Sequence, residues 1–422
     1  MGDRSRLLMI GVDHQALEAL GDEVDVTVLI GGQAKDIGLP MPCEARTLFV
    51  DDTRSVDACM NALYRAEATE FDAVYPVDDQ AMMTASAVGC LLGVRCLPAR
   101  VVSLFRDKYL QKHTLRQAGI VVARQELIPD IRDIPRGYRL RFDKAVLKPV
   151  AGQATESTYL VTTTEDVRRA AAECKSQGVK ARTFVVEEFI EGEEWFADGI
   201  VSGGRLRFAS LGRYAQTCLT AVSERAPVRT FSLDPIADKV AYESAMPVVA
   251  KAISTLGLTD GIFHMELFHQ PCGGIAFGEC AARRGGGPIR DQVRYKFGVD
   301  LAYYGVRALL EQVEDIPTAI VDGSVASAYL PLVPGTLLDH PSVQELVALP
   351  DVVSARIFVP KGLRTPPLGG GGGNTFGRMG EFTVHTFGSA SARLDEVSEW
   401  FAARLRVVPL HTTMRELRDL YS

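Results

Sequence analysis

Residues 261–287 read GIFHMELFHQPCGGIAFGECAARRGGG, and this stretch decides the fold. Two strand-like pieces, GIFHMELFH (261–269) and GGIAFGEC (273–280), flank a turn at 270–274. A hairpin there sets Glu266 beside Glu279, thirteen residues later. Two carboxylates facing each other on neighbouring strands repel unless a cation sits between them. Mg²⁺ suits that place, because it prefers oxygen ligands and commonly bridges to nucleotide phosphates. Alone, two hairpin glutamates are ordinarily solvated surface charges. The residues after Glu279 change the balance: Arg283 and Arg284 lead into Gly285, Gly286 and Gly287. Arginine offers a planar fork of donors to carboxylate or phosphoryl oxygens, and glycine lets the backbone approach a ligand closely. Carboxylates, a cation and a glycine turn together form a reaction-centre pattern; in isolation the glycines would be a mere turn.

Upstream, Lys148 ends the apolar run AVLKPV (145–150), where a lysine is out of place unless its ammonium meets an anion. Lys108, in a helical stretch closed by glycine over 107–119, could serve similarly, although a lone helical lysine is ordinarily a surface residue. Gly152, Thr155, Ser157 and Thr158 come after Lys148, with amides and hydroxyls able to cradle phosphates. No G-x-x-x-x-G-K-[ST] occurs, so this is not a P-loop protein. In VVEEFIEGEEW (185–195) an acceptor can take the adenine amino proton, the strand backbone can read the adenine edge, and a later carboxylate can hold the ribose hydroxyls. The bland alternative is an edge strand with solvated acids.

Farther out, RLLMIG (6–11), VDVTVLI (24–30) and AVYPV (73–77) read as buried strands, alternating with helical stretches at 55–68 and 79–92. Alternation of this kind predicts a small parallel sheet. It lacks G-x-G-x-x-G after the first strand, which argues against a dinucleotide site. The segment FDAVYPVDDQ ends a strand on carboxylates, where open sheets present ligands. A long helix is expected over 239–256, among antiparallel strands that begin at 145–150 and 182–190. The glycine run 369–373, followed by Asn374, reads as a surface loop, with an active-site lid as the minority reading.

The 422 residues suggest two or three domains, and 47% apolar with 23% charged residues is ordinary for a globular protein. A net charge of −7 without basic clusters argues against nucleic-acid binding. No apolar run approaches the length of a membrane span. Eight cysteines without a C-x-x-C pair read as free thiols, which points to a reducing cytoplasm.

In this order and spacing the segments resemble the ATP-grasp superfamily, and within it the carboxylate–amine ligases that act on amino acids and make dipeptides. The resemblance covers most of the chain. It implies an α/β and α+β architecture with an N-terminal parallel α/β domain (1–104), an ATP-grasp domain (105–318) and a C-terminal domain (319–422). By that resemblance Lys108, Lys148 and Thr155 contact ATP phosphates, and Glu187 with the backbone of Glu188, Phe189 and Ile190 reads adenine. Glu194 holds the ribose, Glu266 and Glu279 ligate Mg²⁺ (Mn²⁺ being the alternative metal), and Arg283 steadies the acyl phosphate or tetrahedral intermediate. Arg213, Tyr214, His264, Gly286 and Arg290 are candidate substrate contacts, each with a structural alternative. The implied partners are small molecules, an amino acid plus an amine or second amino acid, and a homodimer is compatible with this. The pattern departs from the family twice. Ala281 stands where many relatives carry a ligating asparagine, and Gly152, Ala154, Thr155 and Ser157 replace a G-x-G-S-x-G loop. The implied reaction activates a carboxylate as an acyl phosphate, with release of ADP, and passes it to an amine. Two rivals are an ATP-grasp carboxylase using bicarbonate and a non-catalytic ATP-binding module.

Overall fold

The computed structural model describes residues 4–31, 45–152, 155–224, 226–365 and 378–409. The glycine run at 369–373, Ala154 and Cys43 lie outside the described residues.

The first strands are β1 (Ser5–Ile10), β2 (Val24–Gly31), β3 (Arg46–Val50) and β4 (Ala73–Pro76). They form a parallel sheet in the order β3-β2-β1-β4. Leu7, Leu8, Met9 and Ile10 are all fully buried, as expected when helices cover both faces of a parallel sheet. Asp13, just past β1, caps the helix His14–Leu20 by accepting from the Gln15 and Ala16 N–H groups. The helix expected over 79–92 begins only at Met82, because the Asp78 carboxylate takes the Gln80 and Ala81 N–H groups and turns the chain first. Asp107 caps the helix Lys108–Gln117, and Gly119 comes after it with φ +74°.

Next come β5 (Gln125–Ile128), β6 (Ala145–Pro149), β7 (Tyr159–Val161) and β8 (Phe184–Glu188), a small antiparallel sheet ordered β5-β8-β6-β7. The chain continues through β9 (Glu193–Ser202), β10 (Arg205–Tyr214), β11 (Arg229–Ser232), β12 (Gly261–His269), β13 (Ile275–Ala281) and β14 (Ser324–Pro331). It ends with β15 (Gly335–Asp339), β16 (Val352–Ile357), β17 (Arg364–Thr365), β18 (Arg378–Thr386) and β19 (Arg406–Val408). Among the described residues eight of these strands make one antiparallel sheet, β13-β12-β9-β10-β11-β14-β18-β16, so the last hundred residues extend the sheet begun by β9.

Strand alternation separates the two faces of this sheet. Ala197, Phe263, Met265, Leu267 and Phe277 pack on one side against Ala245, Val249 and Ile253 of the helix Lys239–Leu256. The opposite face carries Glu194, His264, Glu266 and Glu279. The helix Leu301–Leu309 packs Ala302, Val306 and Leu309 against Leu7 and Met9, joining this part to the parallel sheet. Among the described residues no helix is long and apolar enough to cross a membrane.

Candidate active site

The polar face of the long sheet, the small sheet and the C-terminal end of the parallel sheet enclose a cavity of about 510 Å³. The β12–β13 hairpin places Glu266 directly opposite Glu279. A bulge at Gly278 shifts the register there, and a side chain at 278 would meet the Glu266 carbonyl oxygen at 2.9 Å. Strand β13 is an edge. The Gln111 side-chain amide holds it by accepting from Cys280 N (2.9 Å) and donating to Cys280 O (2.8 Å), and the Phe277 N–H donates to Val121 O. Glu279 is thus pinned by both neighbours of its strand.

A cluster of lysines faces these acids. Lys148, on β6, lies 3.3 Å from Glu279 and 3.0 Å from Glu187. Lys108 lies 3.5 Å from Glu279 and donates to Gly152 O at 3.0 Å. Lys112, one helical turn after Lys108 and 2% exposed, bonds Glu187 at 2.6 Å. Burial opposes ionisation of Glu187, but Lys112 and Lys148 outweigh it and hold this carboxyl below its ordinary range. Burial likewise works against Glu279, and Lys108 and Lys148 overcome it. Burial pushes Glu266 up, and the facing Glu279 pushes it further. Glu194, 6% exposed and accepting from Cys218 N at 2.8 Å, is pushed up to about 8 by burial and by Glu266. Burial pulls Lys112 down to about 8 against the pull of Glu187.

The loop after β13 is tied elsewhere. Arg283 donates to Asp79, past the end of β4, at 2.7 Å, and Arg284 donates to Asp13, past the end of β1, at 3.0 Å. The Gly285 N–H donates to Asp198 Oδ1 at 2.9 Å, and the same fully buried carboxylate lies 3.1 Å from His264 Nδ1. Burial disfavours the His264 imidazolium, but Asp198 more than compensates and raises its pKa.

The cavity crosses the long sheet strand by strand. Glu279 on β13, Glu266 on β12 and Glu194 on β9 give way to Tyr214 on β10, Thr230 on β11, Tyr329 on β14 and Arg378 on β18. The lining thus runs from carboxylates through hydroxyls to a guanidinium.

Of the residues singled out in the sequence, Lys108, Lys148, Thr155, Glu187, Glu188, Phe189, Ile190, Glu194, His264, Glu266, Glu279, Arg283 and Gly286 all line this cavity. Thr155 has φ +55°, an unusual conformation for a β-branched residue. Two substrate candidates lie elsewhere. Arg213 alternates with Tyr214 and therefore points to the opposite face, its guanidinium 4.8 Å from the centre of the Phe231 ring. Arg290 is 3% exposed, paired with Asp300 at 2.5 Å and bonded to Gln15 O, so it fastens a helix rather than facing the cavity. Sequence reasoning missed Lys112, Gln111, Asp198, Tyr329 and Arg378. Lys112 had a signal: it shares a helix face with Lys108 at i,i+4.

The ATP-grasp domain family model matches residues 144–291, which span the lysine strand, both facing carboxylates and the arginine–glycine loop. The chain carries an ATP-grasp domain. A Bacillus subtilis L-arginine-specific L-amino acid ligase is 21% identical over 296 residues, 69% of this chain and 70% of that protein. The crystal structure of an L-amino acid ligase from Bacillus licheniformis shares the fold with a TM-score of 0.76 at 17% identity, over 97% of this chain and all of that one. A carboxyaminoimidazole ribonucleotide synthase from Aspergillus clavatus complexed with ATP has a TM-score of 0.69 at 16% identity, over 95% of this chain and 100% of the other. The protein is an ATP-dependent ligase that forms carbon–nitrogen bonds.

Proposed function

We propose that the enzyme joins the carboxylate of an amino acid to an amine through an acyl phosphate, releasing ADP and phosphate. The observation that carries this reading is the facing pair Glu266 and Glu279, flanked by Lys108 and Lys148 and followed by Arg283. The two carboxylates fit a divalent cation: burial raises Glu266 and the facing Glu279 adds to it, and a dication between them would favour the charged form of both. Two protein carboxylates completed by phosphate oxygens and water are the usual provision for Mg²⁺. Held by Glu266 and Glu279, it would neutralise triphosphate charge.

The remaining work falls to the chain itself. Lys108 and Lys148 supply positive charge to the phosphates, and the Thr155 turn closes over them. The Glu188 and Phe189 N–H groups already donate to Arg124 O and Lys144 O. The Ile190 N–H, which has no hydrogen-bond acceptor among the described residues, is the donor left for the adenine edge. Glu187, held by two lysines, orients them and accepts from the adenine amino group, while Glu194 bonds the ribose hydroxyls. The substrate carboxylate attacks the γ-phosphorus, ADP leaves, and the amine displaces phosphate from the acyl carbon. Arg283 faces the negative charge that grows on the acyl oxygens in both steps, and Asp79 keeps its guanidinium aimed. Enclosure of the cavity protects the acyl phosphate from water.

A phosphate-release screen over pairs of L-amino acids, with mass spectrometry of the products, tests this reading. ADP formation that depends on two amino acids and yields their condensation product is expected. ADP formation that depends on bicarbonate instead, or ATP binding without turnover across the whole panel, would overturn it.

A further inference from the structure

Arg106, Asp107 and Lys108 join two helices, Ala99–Arg106 and Lys108–Gln117. Asp107 is extended, with φ −96° and ψ +103°, and its carboxylate caps the second helix. Its two neighbours both reach the turn after β6, where they hold three successive carbonyls. The Lys108 N–H donates to Val150 O at 2.9 Å, Arg106 Nη2 to Ala151 O at 2.8 Å, and Lys108 Nζ to Gly152 O at 3.0 Å. This turn leads towards Thr155, on the side of the cavity assigned above to the phosphates.

The other side of the Arg106 guanidinium meets the reaction centre. Its Nη1 lies 3.5 Å from Asp79 Oδ1, while Asp79 Oδ2 accepts from Arg283 Nε at 2.7 Å. Asp79 is 5% exposed, and its Oδ1 accepts no hydrogen bond among the described residues. A buried carboxylate oxygen without a donor is costly. Charge-assisted bonds of this kind close to about 2.7–2.9 Å, so a shift of less than about 1 Å would let Arg106 supply that donor. One guanidinium therefore spans the gap between the phosphate turn and the aspartate that aims Arg283. Arg106, Lys108, Gly152, Asp79 and Arg283 all line the same cavity.

We propose that Arg106 is a positioning residue that couples nucleotide binding at the 150–152 turn to the aim of Arg283, through Asp79. The role of Arg283 rests on the ligase reading, but the coupling itself needs only the nucleotide. Phosphates that draw the Lys108 ammonium from Gly152 O act on the turn whose next carbonyl, Ala151 O, is held by Arg106. A shift of that turn carries the guanidinium with it and alters its contact with Asp79 Oδ1. Arg283, bonded to the other oxygen of the same carboxylate, responds. The consequence is an order of events, in which Arg283 reaches its working position after the triphosphate has bound.

Hydrogen exchange read by mass spectrometry, with and without Mg²⁺ and AMP-PNP, tests the coupling in the absence of any substrate. Wild type, Arg106→Ala, Arg106→Lys and Asp79→Asn are compared at saturating analogue. In wild type the analogue should slow exchange at 150–152 and at 283–287. In Arg106→Ala the slowing at 150–152 should persist, whereas that at 283–287 should fall by about tenfold, the scale of one charge-assisted hydrogen bond. A lysine has one head for two acceptors, so Arg106→Lys should recover analogue affinity more than it recovers the response at 283–287. Kinetics with the best pair from the amino-acid screen supply the second readout. Arg106→Ala should lose about tenfold in kcat, with a smaller change in the KM for ATP. The same substitution should cost little more in an Asp79→Asn background. Undiminished slowing at 283–287 in Arg106→Ala, or strictly additive losses in the double variant, overturns the proposal. Should Arg106→Ala not fold, Arg106→Lys and Asp79→Asn decide by the same exchange readout. The two readings fail separately. Coupled exchange without phosphate release from any pair removes the ligase reading alone, whereas normal turnover with undiminished slowing in Arg106→Ala removes the coupling alone.

Discussion

At the lysine end of the cavity, Lys108, Lys112 and Lys148 meet Glu187 and Glu279 within 2.6–3.5 Å. At the other end, Tyr214, Thr230 and Tyr329 present hydroxyls, and Arg378 is bonded to a neutral phenol. The first end is a closed electrostatic network in which each charge fixes its neighbours. Such a site suits one unvarying ligand, since any change leaves a buried charge unpaired. The second end carries little charge, and its groups come from four strands that can vary one at a time. The contrast implies that damage at the lysine end affects every substrate pair alike, whereas changes at the hydroxyl end alter which pair is used.

The strongest test of that division is Glu279→Gln. The amide keeps the shape but withdraws one of the two carboxylates proposed to hold Mg²⁺, so turnover should fall by more than about 10³-fold for every pair of substrates, with the fold intact by circular dichroism. Near-normal rates at low Mg²⁺ would break the assignment. Arg283→Ala comes next, with an expected loss of about 10²–10³ in kcat, roughly 3–4 kcal/mol, and partial recovery in Arg283→Lys. Steady-state kinetics beside ATP-analogue affinity decide it, because a collapse of affinity alone would move Arg283 into the nucleotide site.

Lys112→Met asks whether the network holds the fold as well as the ligand. Removing one partner of a buried pair should cost about 3–5 kcal/mol in urea unfolding. The double variant with Glu187→Gln should lose less than the two single losses added together. Strict additivity would show that Lys112 and Glu187 do not act as a pair. The smallest expected effect lies at the far end. Tyr214→Phe should change preference among substrate pairs by less than about tenfold, the scale of one hydrogen bond, with the KM for ATP unmoved. A matching change in the KM for ATP would erase the distinction between the two ends.

The same division explains which parts of the site are legible in the amino-acid sequence. Lys148, Glu187, Glu266, Glu279 and Arg283 sit in short apolar strands or in the turn that ends one. Charge in such a place is conspicuous, and the hairpin spacing alone pairs Glu266 with Glu279. The parallel first sheet is legible for a similar reason, because its strands are uninterrupted apolar runs. The far end leaves no comparable trace. Tyr214, Thr230, Tyr329 and Arg378 come together only because β10, β11, β14 and β18 pair in that order, and pairing between strands so distant in the chain has no local signature. Arg213 and Arg290 show the converse error. Each is a cation that looks functional in the sequence, but strand alternation turns Arg213 away and Asp300 engages Arg290.

The adjacent arginines of the loop are anchored at two separate points, Asp79 after β4 and Asp13 after β1, and β1 and β4 are neighbours in the parallel sheet. A single anchor would leave the loop free to pivot about it; two remove that rotation. Their spacing is set by the parallel sheet and not by the antiparallel one that carries Glu266 and Glu279. The first hundred residues therefore act as a jig that sets the angle of Arg283. A chimera that exchanges this segment for a relative's would have to carry both aspartates at the same separation to keep that angle.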